Sequence, residues 1–207
     1  LNEYFEMGAR FAKWRAVINI NNEIPSIGCI LANTHALARY AALCQENGLV
    51  PIVEPEVLMD GKHDINRCYD VTCQTLDILF EQLSYQNIML EGIVLKPNMI
   101  ISGLGCLKQA SVEEVADLTI KCFKEYVPQE VAGIAFLSGG QNSDVATEHL
   151  NQMNKKYPEL PWNLTFSYGR ALQQDALNAW LGTNKNKGQE QLLKRAKNNS
   201  LATFGKF

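Results

Sequence analysis

Two hydrophobic periods take turns along this chain. Short runs dense in β-branched and aromatic residues, at 11–20, 49–57, 89–98, 133–138 and 163–168, read as strands. Between them the apolar residues recur at helical spacing. One such segment, 34–47, runs into Gly48, a natural helix stop. Another, 64–86, sets Cys68, Val71, Thr75, Ile78, Leu79 and Leu83 along one face. Segment 111–126 opens on Ser111-x-x-Glu114, the signature of a capping box, and stops before Pro128; segment 143–157 stops before Pro158. Helical patterns over 170–180 and 189–202 close the chain.

Strand followed by helix, five times over, predicts an α/β protein with a parallel sheet, because parallel strands need crossover connections. The strand runs are continuously apolar rather than alternating, which suits a sheet covered on both faces. No G-x-G-x-x-G follows the first strand, so a dinucleotide-binding fold has little support. A β/α barrel, or a piece of one, remains, and 207 residues with 46% hydrophobic content suffice for one core, so 1–207 reads as a single domain.

Composition then removes several functional classes. A formal charge of −3 with no basic stripe gives no footprint for nucleic acid. The longest apolar runs are too short to span a membrane, and no secretory leader precedes the first strand. The six cysteines, at 29, 44, 68, 73, 106 and 122, form no C-x-x-C pair, and His35, His63 and His149 have no metal-ligand spacing. Reduced thiols in a cytosolic protein with no metal site are the expectation.

Candidate chemistry gathers where the strand runs end, the edge at which barrel enzymes keep their reactive groups. Lys13 and Arg15, two apart, share a face that Trp14 does not; Glu54 and Glu56 repeat the arrangement. Lys96 ends the third run, Ser138-Gly139-Gly140 the fourth, and Ser167-Tyr168-Gly169-Arg170 the fifth. Taken singly, each is an ordinary rim residue or turn. Lys13, Glu54, Lys96 and Ser138, however, lie 41, 42 and 42 residues apart, which predicts one level on successive strands. Charges repeated at equivalent, partly buried positions point to a shared polar site.

Such a site has definite capabilities. A lysine among apolar neighbours and close to a second cation releases its proton more readily, and the free amine can add to a ketone. A carboxylate such as Glu54 can move the protons that dehydration and C–C cleavage require. Glycine turns with exposed N–H groups, together with an arginine fork, suit a phosphate. Amine, carboxylate and phosphate cradle together suggest a phosphorylated ketose.

The segments that carry these residues resemble the class I fructose-1,6-bisphosphate aldolases over nearly the whole chain. They are Ala9-Arg10-Phe11-Ala12-Lys13-Trp14-Arg15, Val50-Pro51-Ile52-Val53-Glu54-Pro55-Glu56, Leu90-Glu91-Gly92 and Leu95-Lys96-Pro97-Asn98-Met99. They continue in Phe136-Leu137-Ser138-Gly139-Gly140-Gln141, Leu164-Thr165-Phe166-Ser167-Tyr168-Gly169-Arg170-Ala171-Leu172, Lys194-Arg195-Ala196 and Asn199-Ser200-Leu201-Ala202. The resemblance implies a (β/α)8 TIM barrel, of which this chain supplies the last five units. It implies Lys96 as the Schiff-base lysine, Glu54 as acid/base and Glu56 as its supporting carboxylate. Lys13 becomes a second lysine that keeps Lys96 unprotonated. Arg15 falls near the distal phosphate, while Ser138, Gly139, Gly140, Ser167, Gly169 and Arg170 form the cradle for the phosphate beside the carbonyl.

The same resemblance implies a cytoplasmic glycolytic lyase that acts on sugar phosphates without metal or other cofactor. It also implies a homotetramer with cytoskeletal partners. Family members carry an aspartate and a lysine on earlier strands, and a C-terminal tail ending in tyrosine. None of these is in this chain, which opens on Leu1, so the expectation is that 1–207 belong to a longer chain. The alternative is a truncated, non-catalytic aldolase-like scaffold or binding module. A transaldolase, another Schiff-base barrel, is disfavoured by the two phosphate elements.

Overall fold

The computed structural model describes all residues, 1–207. A short helix α1 (Asn2–Glu6) precedes five strand–helix units: β1 (Phe11–Ile18), α2 (Ile27–Glu46), β2 (Val50–Val57), α3 (Ile65–Tyr85), β3 (Val94–Leu95), α4 (Val112–Tyr126), β4 (Gly133–Phe136), α5 (Ser143–Lys156), β5 (Leu164–Phe166) and α6 (Arg170–Trp180), with α7 (Lys185–Ala202) last. The strands form one parallel sheet in chain order, β1-β2-β3-β4-β5. Each helix packs on the next, α2 on α3, α3 on α4 and α4 on α5, with α6 and α7 against α5. This is an arc of a β/α barrel, open at β1 and β5.

Local chemistry explains most boundaries. Ser26, Asp64 and Ser111 cap α2, α3 and α4 by accepting the N–H of the third residue on. At α4 Glu114 returns the bond to Ser111, completing the capping box. The inner faces of the helices merge with β2 to β4 into a core of 37 buried residues, in which Phe123 and Phe136 stack 5.6 Å apart.

Four expectations need correction. Helix α2 starts at Ile27, not 34, because Ser26 caps it there; α7 starts at Lys185, capped by Asn184, not at 189. The run 89–98 is largely not strand: a 3-10 turn occupies Leu90–Gly92, and only Val94 and Leu95 join the ladder. Pro97, which has no N–H to donate, then ends it. Nor is β1 covered on both faces, since Phe11, Trp14 and Val17 are exposed along this edge strand.

Candidate active site

Register decides which of the strand-end residues meet. Arg15 stands opposite Glu54, and Lys13 opposite Ile52, one pleat lower. Val53 pairs with Leu95, which puts Glu54 beside Lys96; Leu95 pairs with Ile134, so Ser138 lies three residues beyond the Lys96 level. Equal spacing in sequence therefore does not give equal height. Only Glu54 and Lys96 are level, and the other two reach the site from below and above.

Glu54 is the hub. Its carboxylate is buried, with Oε1 3.1 Å from Lys96 Nζ and Oε2 3.4 Å from Lys13 Nζ. The two lysines differ in setting: the Lys96 side chain is 9% exposed, that of Lys13 48%. Oε2 is buried and meets Lys13 through the ion pair alone, with no hydrogen bond beside it. The neighbouring Glu56, equally buried, accepts from Arg15 Nε, and this contact holds the guanidinium still more firmly protonated than usual despite partial desolvation.

The backbone around Lys96 is fixed from several sides. Lys96 N–H donates to Val53 O at 2.7 Å, continuing the ladder past β3. Asn98 accepts from Val57 N–H on β2 and donates to Thr72 Oγ1 on α3, each at 3.1 Å. Ile100 N–H donates to Thr119 Oγ1 on α4 at 3.0 Å. Irregular chain thus holds the lysine as firmly as a longer strand would. Asn98 lay inside a motif segment, but nothing in the sequence marked it as the clamp.

Ser138, Gly139, Gly140, Ser167, Gly169 and Arg170 converge at the ends of β4 and β5. Gln141 N–H donates to Ser138 O at 3.0 Å, closing a turn whose Gly139 and Gly140 have φ of +62° and +104°, values that L side chains rarely adopt. A Cβ on Gly140 would stand 3.2 Å from Arg170 Nη2, so the guanidinium lies directly over the turn. Ser167 N–H donates to Phe136 O at 2.8 Å, which fixes the second strand end beside the first. Gly169 opens α6 with no side-chain cap, leaving first-turn N–H groups for an outside acceptor.

Behind the turn, buried His149 donates from Nδ1 to Gln141 Oε1 at 2.7 Å, and burial pushes its pKa down to about 4. Tyr168 OH, itself buried, donates to Ala146 O on α5 at 2.9 Å and seats the β5 end. Sequence reasoning assigned roles to neither. An isolated histidine on a helical pattern carries no signal of its partner.

The arrangement offers a buried amine, a carboxylate held between two lysines, one of them half-exposed, and, further up, a glycine turn, a helix start and an arginine whose chemistry suits an anion. Among known proteins, the family described as "Glycolytic: Fructose-bisphosphate aldolase class-I" matches residues 1–207. A probable class 1 fructose-bisphosphate aldolase of Xanthomonas campestris is 59% identical over all of this chain and 63% of its own length. The cytoplasmic isozyme of spinach (Spinacia oleracea) is 51% identical over 99% of this chain and 58% of its own. The fructose-bisphosphate aldolase of Plasmodium falciparum, solved in complex with TRAP and a small-molecule inhibitor, superposes with a TM-score of 0.96 at 47% identity, covering all of this chain and 60% of that one. The chain thus spans about three fifths of the length of the relatives it matches. It belongs to the class I fructose-bisphosphate aldolase family.

Proposed function

We propose that this chain carries the reaction centre for reversible cleavage of fructose 1,6-bisphosphate into dihydroxyacetone phosphate and glyceraldehyde 3-phosphate, through a Schiff base on Lys96. The observation that carries the reading is the buried Glu54 carboxylate held between Lys96 and Lys13. Lys96 passes its ammonium proton to Glu54, and the freed amine adds to the C2 carbonyl. Glu54 then returns that proton to the carbinolamine oxygen, which already holds one proton from the amine, so that it departs as water. In the iminium so formed, Glu54 takes the proton of the C4 hydroxyl. The C3–C4 bond breaks, its electron pair moves toward the iminium nitrogen, and glyceraldehyde 3-phosphate leaves. Protonation at C3 and hydrolysis return the lysine and release dihydroxyacetone phosphate.

Lys13 offers its charge to oxygens that become anionic, and Glu56 holds Arg15 in place for the distal phosphate. Ser138, Gly139, Gly140, Ser167, Gly169 and Arg170 receive the phosphate beside the ketone. That donor set, N–H groups and one guanidinium, suits a dianion. The lysine carries the chemistry here without a metal or other cofactor. A cytoplasmic location rests on the spinach isozyme's name, and no helix is long and apolar enough to cross a membrane. Homotetramer formation and cytoskeletal partners extend the proposal from the family. The P. falciparum relative's complex with TRAP supports protein partners in general.

Intact-mass spectrometry after incubation with dihydroxyacetone phosphate and borohydride tests this directly. One reduced ketose-phosphate adduct is expected, mapped to Lys96 and absent from Lys96→Ala. No adduct on a folded protein would end the reading in favour of a binding module.

A further inference from the structure

Lys194-Arg195-Ala196 has no part in the chemistry above, yet Arg195 is a charged residue only 6% exposed, in the second half of α7. Its Nη2 lies 2.8 Å from Asp144 Oδ1 and 2.9 Å from Asp175 Oδ2, and Nη1 donates to Thr147 Oγ1 at 3.4 Å. Burial opposes the charge, but the two carboxylates outweigh it, so the guanidinium stays fully protonated. The cluster is not a costless filler: Arg195 Nε and Asn199 Nδ2 are buried there without partners. An apolar side chain of similar size would avoid that cost, so packing alone does not account for an arginine at this place.

The clamp's placement points to its role. Asp144 sits in the first turn of α5, just past the Ser138–Gln141 turn. Asp175 lies five residues into α6, the helix that begins with Gly169 as cap and Arg170 as first residue. The two helices gripped by Arg195 are therefore the two that carry the halves of the anion cradle. Both carboxylates converge on one nitrogen, Nη2, while Nη1 reaches Thr147, so a single planar group on α7 joins α5 to α6.

We propose that Arg195 is a positioning residue: by tying Asp144 of α5 to Asp175 of α6, it sets the gap between the Ser138–Gly140 turn and the Gly169–Arg170 helix start, and so the affinity for the phosphate next to the ketone. The proposal rests on the Schiff-base reading above. It extends that reading to a residue remote from Lys96 and Glu54, which stand on the β2 and β3 side of the sheet.

The test uses two ketones and one anion on the whole protein. Borohydride trapping at Lys96 is titrated with dihydroxyacetone phosphate and with dihydroxyacetone, which lacks the phosphate. In Arg195→Met the half-saturating concentration of the phosphorylated ketone should rise at least tenfold, while that of dihydroxyacetone stays within twofold. Arg195→Lys should recover part of the loss, and Asp175→Asn, at a more exposed position, should show a smaller shift of the same kind. If Arg195→Met fails to fold, as judged by circular dichroism, Asp175→Asn carries the test. An equal shift for both ketones, or none for either, overturns the clamp. Affinity for inorganic phosphate, followed by 31P line broadening, is a readout independent of the lysine. Wild-type protein that binds phosphate but traps neither ketone would sink the Schiff-base reading alone. Unchanged phosphate affinity in Arg195→Met would sink the clamp alone.

Discussion

Replacing His149 with asparagine should remove a pH dependence of stability whose size follows from its setting. The imidazole is 5% exposed, donates to Gln141, and is pushed by burial from its ordinary 6.5 to about 4. The folded state thus refuses a proton that the unfolded chain accepts. With the folded pKa below the unfolded one, this contribution is complete above about pH 6.5 and is lost as the pH falls toward 4. Each pKa unit corresponds to about 1.4 kcal/mol, so about 3 kcal/mol disappears across that window. Carboxylates held low by their partners, such as Asp117 beside Lys156 and Tyr157, also lose stability on acidification, but equally in both proteins. The quantity to measure is the difference in unfolding free energy between wild type and His149→Asn, from urea melts at pH 7, 6, 5 and 4. The asparagine variant should be the weaker at pH 7, with its deficit shrinking by about 3 kcal/mol toward pH 4. A deficit that does not change with pH would refute the reasoning.

Phe136→Ala should cost about 3–5 kcal/mol in urea denaturation, since the ring is fully buried and stacked on Phe123; a cost below about 1 kcal/mol would mean that the α4–β4 contact is loosely packed. Gly140→Ala forces a side chain into φ +104° and against Arg170, at a cost of about 1–3 kcal/mol. It should also raise the half-saturating dihydroxyacetone phosphate concentration severalfold in the trapping assay while leaving dihydroxyacetone unaffected. Equal behaviour of the two ketones would separate Gly140 from the phosphate site.

Much of the architecture was legible in the chain because periodicity and breakers agreed. Ser111 with Glu114, Gly48 and the prolines at 128 and 158 marked helix limits that α2, α4 and α5 respect within a residue or two. What escaped was whatever depends on partners remote in sequence. The start of α2 was hidden by Gly28 and an apolar stretch that fits strand or helix alike, and only the Ser26 cap settles it. The third strand is short because Pro97 has no N–H for the ladder, and beyond Lys96 the side-chain bonds of Asn98 help hold the chain. At the site, residue types and spacing gave Lys96, Glu54 and Lys13, but the one-pleat offset of Lys13 is a property of register. Arg195 escaped for another reason: Gly188, Arg195, Asn199 and Ala202 form the buried stripe of α7, and half of it is polar. A hydrophobic pattern reads that stripe as surface.

The chain-order sheet has a consequence for how the protein is made. Every strand pairs with the one next in sequence, and paired residues are only 30 to 42 positions apart. A ribosome extends the chain at about 5–20 residues per second, so roughly 2–8 s separate the arrival of one strand from that of its partner. Helix and loop closure take microseconds or less, so each strand–helix unit can dock on its predecessor long before the next emerges. Among these five strands, none has to wait for more than its neighbour in sequence. The arc can grow from β1 toward β5 one unit at a time, each step leaving a single new edge for the following strand to cover.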